Sequence, residues 1–189
     1  LALDPATRLR ILEIGAGTGG TTAPVLAALA PWQAHIQEYC YTDLSGAFLA
    51  HAEEHYAPGH PYLTTQIFDV SRPLHGQSLE ADYYDMVLAA NVLHATPNMR
   101  QTLYNAKAAL KKNGLLLLNE LYGKSLPVHL TFGLLAGWWL YDDAALRLPG
   151  SPGLTPQTWQ RVMEEVGLRS VSFPAAAAHA LGQQVIVAE

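Results

Sequence analysis

The chain has 189 residues, about half of them hydrophobic, which is enough for one globular domain with an ample core. Its formal net charge of −5 argues against nucleic acid as the main partner, because phosphate binding wants clustered Lys and Arg. A single cysteine excludes a disulfide framework, and no apolar run reaches the roughly 18 residues of a membrane span.

Strand-length apolar runs alternate with helix-length segments along the chain. The strands are expected at Arg8–Ile14, Ile36–Asp43, Tyr62–Phe68, Tyr84–Ala90 and Gly114–Glu120. The helices between them are expected near Thr21–Ala30, Ser45–His55 and Asn98–Lys111. Ser45 and Asn98 read as helix starts, and Asn113-Gly114 as a helix stop. Alternation of this kind implies βαβ units and a parallel sheet covered on both faces. After a helix at Pro156–Val166, Leu168–Phe173 and Gln183–Ala188 read as an antiparallel hairpin. The fold expected is α/β and Rossmann-like, with a mostly parallel seven-stranded sheet and that terminal hairpin. Cys40 lies in the second strand and reads as an inert core thiol. A reducing, cytoplasmic compartment follows from the lone cysteine.

The first strand runs into the glycine-rich turn LEIGAGTGGTT, residues 12–22. Gly15, Gly17 and Gly20 fit G-x-G-x-x-G, the dinucleotide turn, so NAD is one reading. Glu13, Gly15, Gly17 and Gly19 fit the tighter E-x-G-x-G-x-G of methyltransferases that use S-adenosylmethionine. A pyrophosphate needs the positive end of the helix. Adenosylmethionine instead brings a sulfonium and an amino-acid group, for which the acid Glu13 is useful.

Ligands of such sheets bind beyond the carboxyl ends of the strands. Strand two ends in Asp43, placed to accept ribose hydroxyls, with Leu44 beside it. Strand three ends in Phe68-Asp69-Val70, an acid with apolar neighbours that suits adenine. Strand four ends in Asn91-Val92-Leu93-His94, and strand five in Asn119-Glu120-Leu121-Tyr122. His94 and Glu120 therefore share the rim with the cofactor. An imidazole is the natural base at neutral pH, and a carboxylate on its far nitrogen fixes the tautomer. His51-Ala-Glu-Glu54-His55 matches a zinc-protease spacing, but on a solvent-facing helix no metal is expected there.

LEIGAGTGGTT, YTDLS, FDVSRP, ANVLHAT, NEL, LTFGLLAGWW and LPGSPGLTPQTW together resemble the methyltransferase domains of modular type I polyketide synthases. The resemblance runs from about Arg8 to the C-terminus. It implies S-adenosylmethionine as donor and a polyketide intermediate on an acyl carrier protein as acceptor, with neighbouring synthase domains as partners and neither nucleic acid nor membrane. Carried over by motif, the cofactor residues are Glu13, Gly15, Gly17, Gly19, Asp43, Leu44, Asp69, Val70 and Asn91, and the catalytic dyad is His94 with Glu120. Tyr122, Trp138, Trp139 and Arg147 are the candidates for the acceptor side, Arg147 as a partner for the arm's phosphate or an acidic carrier helix.

Residues 1–189 read as one methyltransferase core. The family's N-terminal helical lid is absent from this chain, which reads as a piece of something longer. The family methylates either the α-carbon of a β-ketoacyl thioester or a β-oxygen. Carbon chemistry passes through an enolate and wants a donor for its oxygen. Tyr122 is the one candidate donor, so the reading tips toward O-methylation of a β-hydroxyl, with C-methylation as the alternative. An NAD-dependent oxidoreductase and a silent structural domain are the more distant readings.

Overall fold

The computed structural model describes residue 4 and residues 6–189. A six-stranded sheet forms its centre, in the order β3-β2-β1-β4-β5-β6. The strands are β1 (Leu9–Ile14), β2 (Ile36–Asp43), β3 (Leu63–Ile67), β4 (Tyr84–Ala90), β5 (Leu110–Leu121) and β6 (Gln183–Ala188). The first five run parallel, and β6 adds antiparallel at the β5 edge. The chain order reverses direction across the sheet at β1, which opens a crevice beyond the carboxyl ends of β1 and β4.

Helices cover both faces of the sheet, so successive strand residues serve opposite cores. Ile11, Tyr39, Tyr41 and Leu88 pack with Leu26 of helix α1 (Thr22–Leu29) and with Leu49 and Ala52 of α2 (Gly46–His55). Their neighbours Leu12, Cys40, Val87 and Ala89 face the other way. They pack with Met99, Leu103 and Ala106 of α3 (Met99–Ala109), and with Trp159, Val162 and Met163 of the penultimate helix. Cys40 is a buried core thiol, and burial pushes it up to about 11. After β5 a short helix α4 (Leu126–Thr131) and a run of tight turns through Trp139 stand over the rim. Helix α5 (Pro156–Glu165) opens on Thr155, whose hydroxyl accepts from Thr158 N at 3.1 Å.

Three local expectations change. The sheet has six strands rather than seven. Ser170 takes a φ of +52°, which breaks the extended run at Leu168–Phe173. That segment keeps only the Ser172–Val187 bridge and the paired hydrogen bonds between Arg169 and Glu189. Helix α3 stops at Ala109 instead of continuing to Lys111. The Asn113-Gly114 pair, with Asn113 at φ +62°, forms an irregularity inside β5, where the pairing jumps from Tyr84↔Leu110 to Met86↔Leu115. Ser45 stands at the start of α2 but makes no side-chain cap, whereas Asn98 caps α3 by accepting from Gln101 N at 3.1 Å.

Candidate active site

The glycine turn is shaped by what crowds it. Gly15 has φ +63°, and a Cβ there would lie 2.6 Å from a methyl of Val92, so the turn can close only without a side chain. The turn is also tied to the end of β2. Ala16 N donates to Thr42 O at 2.9 Å, and the Tyr41 hydroxyl donates to Gly17 O.

Asp43 stands where β2 ends. Gly17 N donates to its Oδ2 at 3.0 Å and Ser45 N to its Oδ1 at 2.9 Å, so the carboxylate is fixed by backbone on two sides. Asp69, beyond β3, accepts Ser71 N at 3.0 Å and Ser71 Oγ at 2.6 Å, both on Oδ1. Its Oδ2 takes no hydrogen bond among the described residues. These two acids line a cavity of about 390 Å³ with Gly15, Leu44, Val70 and Asn91. Leu44 is 66% exposed, an apolar side chain displayed beside the acid. A carboxylate pair with apolar neighbours fits a nucleoside, whose sugar hydroxyls and exocyclic amine need acceptors and whose base needs a greasy slot.

Glu13 is placed differently from the expectation. It is 1% exposed, absent from that cavity's wall, and its Oε2 accepts the hydroxyls of Thr22 and Tyr39, each at 2.6 Å. Its carboxylate joins β1, β2 and the first turn of α1 from behind. Burial pushes its pKa above the ordinary value, partly offset by the two hydroxyls. Any effect on a ligand passes through the glycine turn that it braces.

A second cavity of about 440 Å³ adjoins the first, and Asn91 and Ala95 line both. Its wall is largely apolar, with Val128, Phe132, Leu135 and Trp138 from α4 and the turns after it. His94 stands in this wall, 4% exposed, in a 3-10 turn (Leu93–Ala95) directly beyond β4. Its Nδ1 lies 2.5 Å from Oε2 of the fully buried Glu120. The other oxygen of Glu120 accepts Leu93 N at 2.8 Å and Val92 N at 3.2 Å. Glu120 therefore holds both the ring and the backbone that carries it. With Nδ1–H donated to the carboxylate, Nε2 keeps its lone pair for the cavity. Trp138 packs edge-on against the imidazole at 5.5 Å between centroids and against His129 at 5.7 Å.

Of the four acceptor-side candidates, only Trp138 lines this cavity. Trp139 is 46% exposed and its Nε1 donates to Gly133 O at 2.9 Å. Tyr122 stacks on His179, with centroids 3.9 Å apart, and so is drawn out of the wall. Arg147 is buried rather than displayed at the surface. It is 6% exposed and spends all five N–H groups internally, on His94 O, Thr96 O, Pro152 O and both oxygens of Asp143. Gln183, the first residue of β6, lines the cavity and was not singled out from sequence. Its only sequence signal was its place at the rim end of the last strand. His51 and His55 stack on each other at 4.1 Å, and no group of three or more metal-ligand residues occurs among the described residues.

Residues 12–116 match the methyltransferase domain family. The chain belongs to that family. It is 61% identical over its whole length to part of the polyketide synthase PksR of Bacillus subtilis (strain 168), of which it spans 7%. Among solved structures it is similar to the DszA carbon methyltransferase, with 43% identity and a TM-score of 0.90 over 99% of this chain and 48% of that one. It is also similar to the trans-methyltransferase CalH in complex with SAH, with 34% identity and a TM-score of 0.82 over 96% of this chain and 51% of that one. The chain thus spans about half the length of these solved relatives. The fold is that of the class I S-adenosylmethionine-dependent methyltransferases. No described helix is long and apolar enough to cross a membrane.

Proposed function

We propose that this methyltransferase domain acts on a polyketide intermediate tethered to an acyl carrier protein, and that the methyl group goes to the α-carbon of a β-ketoacyl thioester. The observation that carries this reading is the His94–Glu120 pair, set in a largely apolar cavity that meets the Asp43–Asp69 cavity at Asn91 and Ala95. A base at the junction of two cavities can take a proton from one ligand while facing the other.

Bound S-adenosylmethionine supplies an electrophilic methyl group on a sulfonium. Asp43 and Asp69 would hold its sugar and base, and Glu13 would brace the turn beneath it. His94 Nε2 takes the acceptor's α-proton. Glu120 keeps the ring in the tautomer that leaves Nε2 free and stabilises the imidazolium that forms. Such a base contributes on the order of 10²–10⁴ in rate. The apolar wall around Trp138 excludes water, which would otherwise quench the carbanion character of the acceptor.

Two points favour carbon over oxygen as the acceptor. The preference for oxygen rested on the lack of a donor for an enolate oxygen, and the cavity wall contains the amides of Asn91 and Gln183. The similar DszA structure is of a carbon methyltransferase. The cytoplasm, where a free thiol such as Cys40 persists, is the proposed compartment.

The test offers β-ketoacyl and β-hydroxyacyl arms on a carrier protein separately, with carbon-13 methyl-labelled S-adenosylmethionine, and locates the label by NMR. A carbon-bound methyl on the ketoacyl arm is expected. An oxygen-bound methyl on either arm overturns the carbon assignment. No methyl on either arm, from protein that binds the cofactor, overturns the acceptor class.

A further inference from the structure

We infer that Gln183 is a catalytic residue of the acceptor site, whose side-chain amide donates to the oxygen that gains charge when the acceptor's α-proton leaves. This rests on the carbon-methylation reading and deepens it. Gln183 is paired with Leu121 in the antiparallel β5–β6 ladder, one step beyond Glu120↔Gln184. Side chains alternate along a strand, so the two glutamines are directed to opposite faces. Gln184 is fully buried and its Nε2 donates to Leu121 O and Leu154 O at 2.6 and 3.0 Å, which ties β6 to the chain leading into α5. Gln183 instead shares the acceptor cavity's wall with Leu121 and His94.

Its amide is unspent. Oε1 is buried and has no hydrogen-bond partner, and Nε2 makes no hydrogen bond among the described residues. A buried amide oxygen left without a partner costs about 1–3 kcal/mol. Because neither end is held, the amide can turn over and present either its N–H₂ or its carbonyl to a ligand. Beside Asn91 and His94 the wall is mostly apolar, with Val128, Phe132, Leu135 and Trp138, and a ligand carbonyl is a partner that satisfies the amide.

The step balances within the site. The acceptor's α C–H bond breaks, its proton goes to His94 Nε2, and its electron pair delocalises onto the β-carbonyl oxygen as an enolate. The Gln183 N–H hydrogen bond strengthens as that oxygen becomes negative. A donor of this kind acts on the transition state more than on the neutral ketone. It also sorts acceptors: a β-hydroxyl that loses its proton develops no enolate for the amide to hold.

The test is α-proton exchange of a carrier-bound β-ketoacyl arm in deuterated water, followed by mass spectrometry, with the protein in its natural full length and no methyl donor present. Gln183→Leu and the near-isosteric Gln183→Glu, which lacks the donor, are compared with wild type, and binding of S-adenosylhomocysteine reports that each is folded. Both variants are expected to lose exchange by about 10²–10³-fold, the usual cost of removing one oxyanion donor. Exchange at the wild-type rate in a folded variant overturns the role of Gln183 while leaving carbon methylation standing. Wild-type protein that exchanges no α-proton, yet methylates a β-hydroxyacyl arm, overturns the carbon reading itself.

Discussion

Arg147 grips the carbonyl oxygen of His94 at 2.9 Å from 53 residues further along the chain. The same guanidinium holds Thr96 O and Pro152 O, so the turn that carries His94 and the chain at Pro152 hang from one buried cation. Its charge is met by Asp143, which also accepts Met99 N at 2.6 Å. Glu120 holds the turn from the strand side and Arg147 from the loop side. His94 is thereby fixed twice, once through its ring and once through its peptide.

Removing Arg147 strands Asp143 as a buried, unpaired carboxylate. Arg147→Met is expected to cost about 3–5 kcal/mol of unfolding free energy, the usual penalty for breaking one side of a buried pair. Arg147→Lys is expected to recover only part of it, since an ammonium cannot reach all five acceptors. Urea unfolding curves of the three proteins check both expectations.

Asp43 is fixed by Gly17 N and Ser45 N. Asp43→Ala is therefore expected to weaken S-adenosylhomocysteine binding by roughly 10- to 100-fold, the scale of hydrogen bonds to a charged acceptor. Asp69 would meet a single exocyclic amine where Asp43 would meet the sugar hydroxyls, so Asp69→Ala is expected to weaken binding less. Titration calorimetry of both variants gives the order.

Glu13 governs a pH effect of definite sign. Burial raises its pKa in the folded state, so folding favours the protonated carboxyl. Its contribution to stability is then fully present below the unfolded value of 4.5 and is lost as pH rises through the folded value. Glu13→Gln does not titrate and can still accept from Thr22 and Tyr39. The stability of wild type relative to Glu13→Gln is expected to fall as pH is raised from about 4, measured by denaturant unfolding at each pH.

The placement of the rim residues was legible in the sequence because each stands at or just beyond the end of a strand, which local pattern locates. Asp43, Asp69, Asn91, His94 and Glu120 are all of this kind. The strands β2 and β4 appear at their expected bounds. The acceptor half was not legible in the same way. Arg147, Trp139 and Tyr122 lie on connections whose path depends on long-range contacts, and their side chains turn inward or onto neighbours for reasons that spacing does not encode. Gln183 reaches the cavity only through the register of β6 on β5. The seventh strand fails at Ser170, one residue whose backbone takes a left-handed turn inside an otherwise extended pattern.

The most direct measurement of the dyad's role is single-turnover methyl transfer by His94→Ala, with cofactor affinity determined on the same preparation. His94 lines the acceptor cavity and is absent from the lining of the Asp43–Asp69 cavity. Transfer is expected to fall by about 10²–10⁴-fold while the Kd for S-adenosylhomocysteine stays within a few-fold of wild type. Transfer that persists at close to the wild-type rate would contradict a general base at His94, and with it the assignment of the dyad as the centre of the reaction.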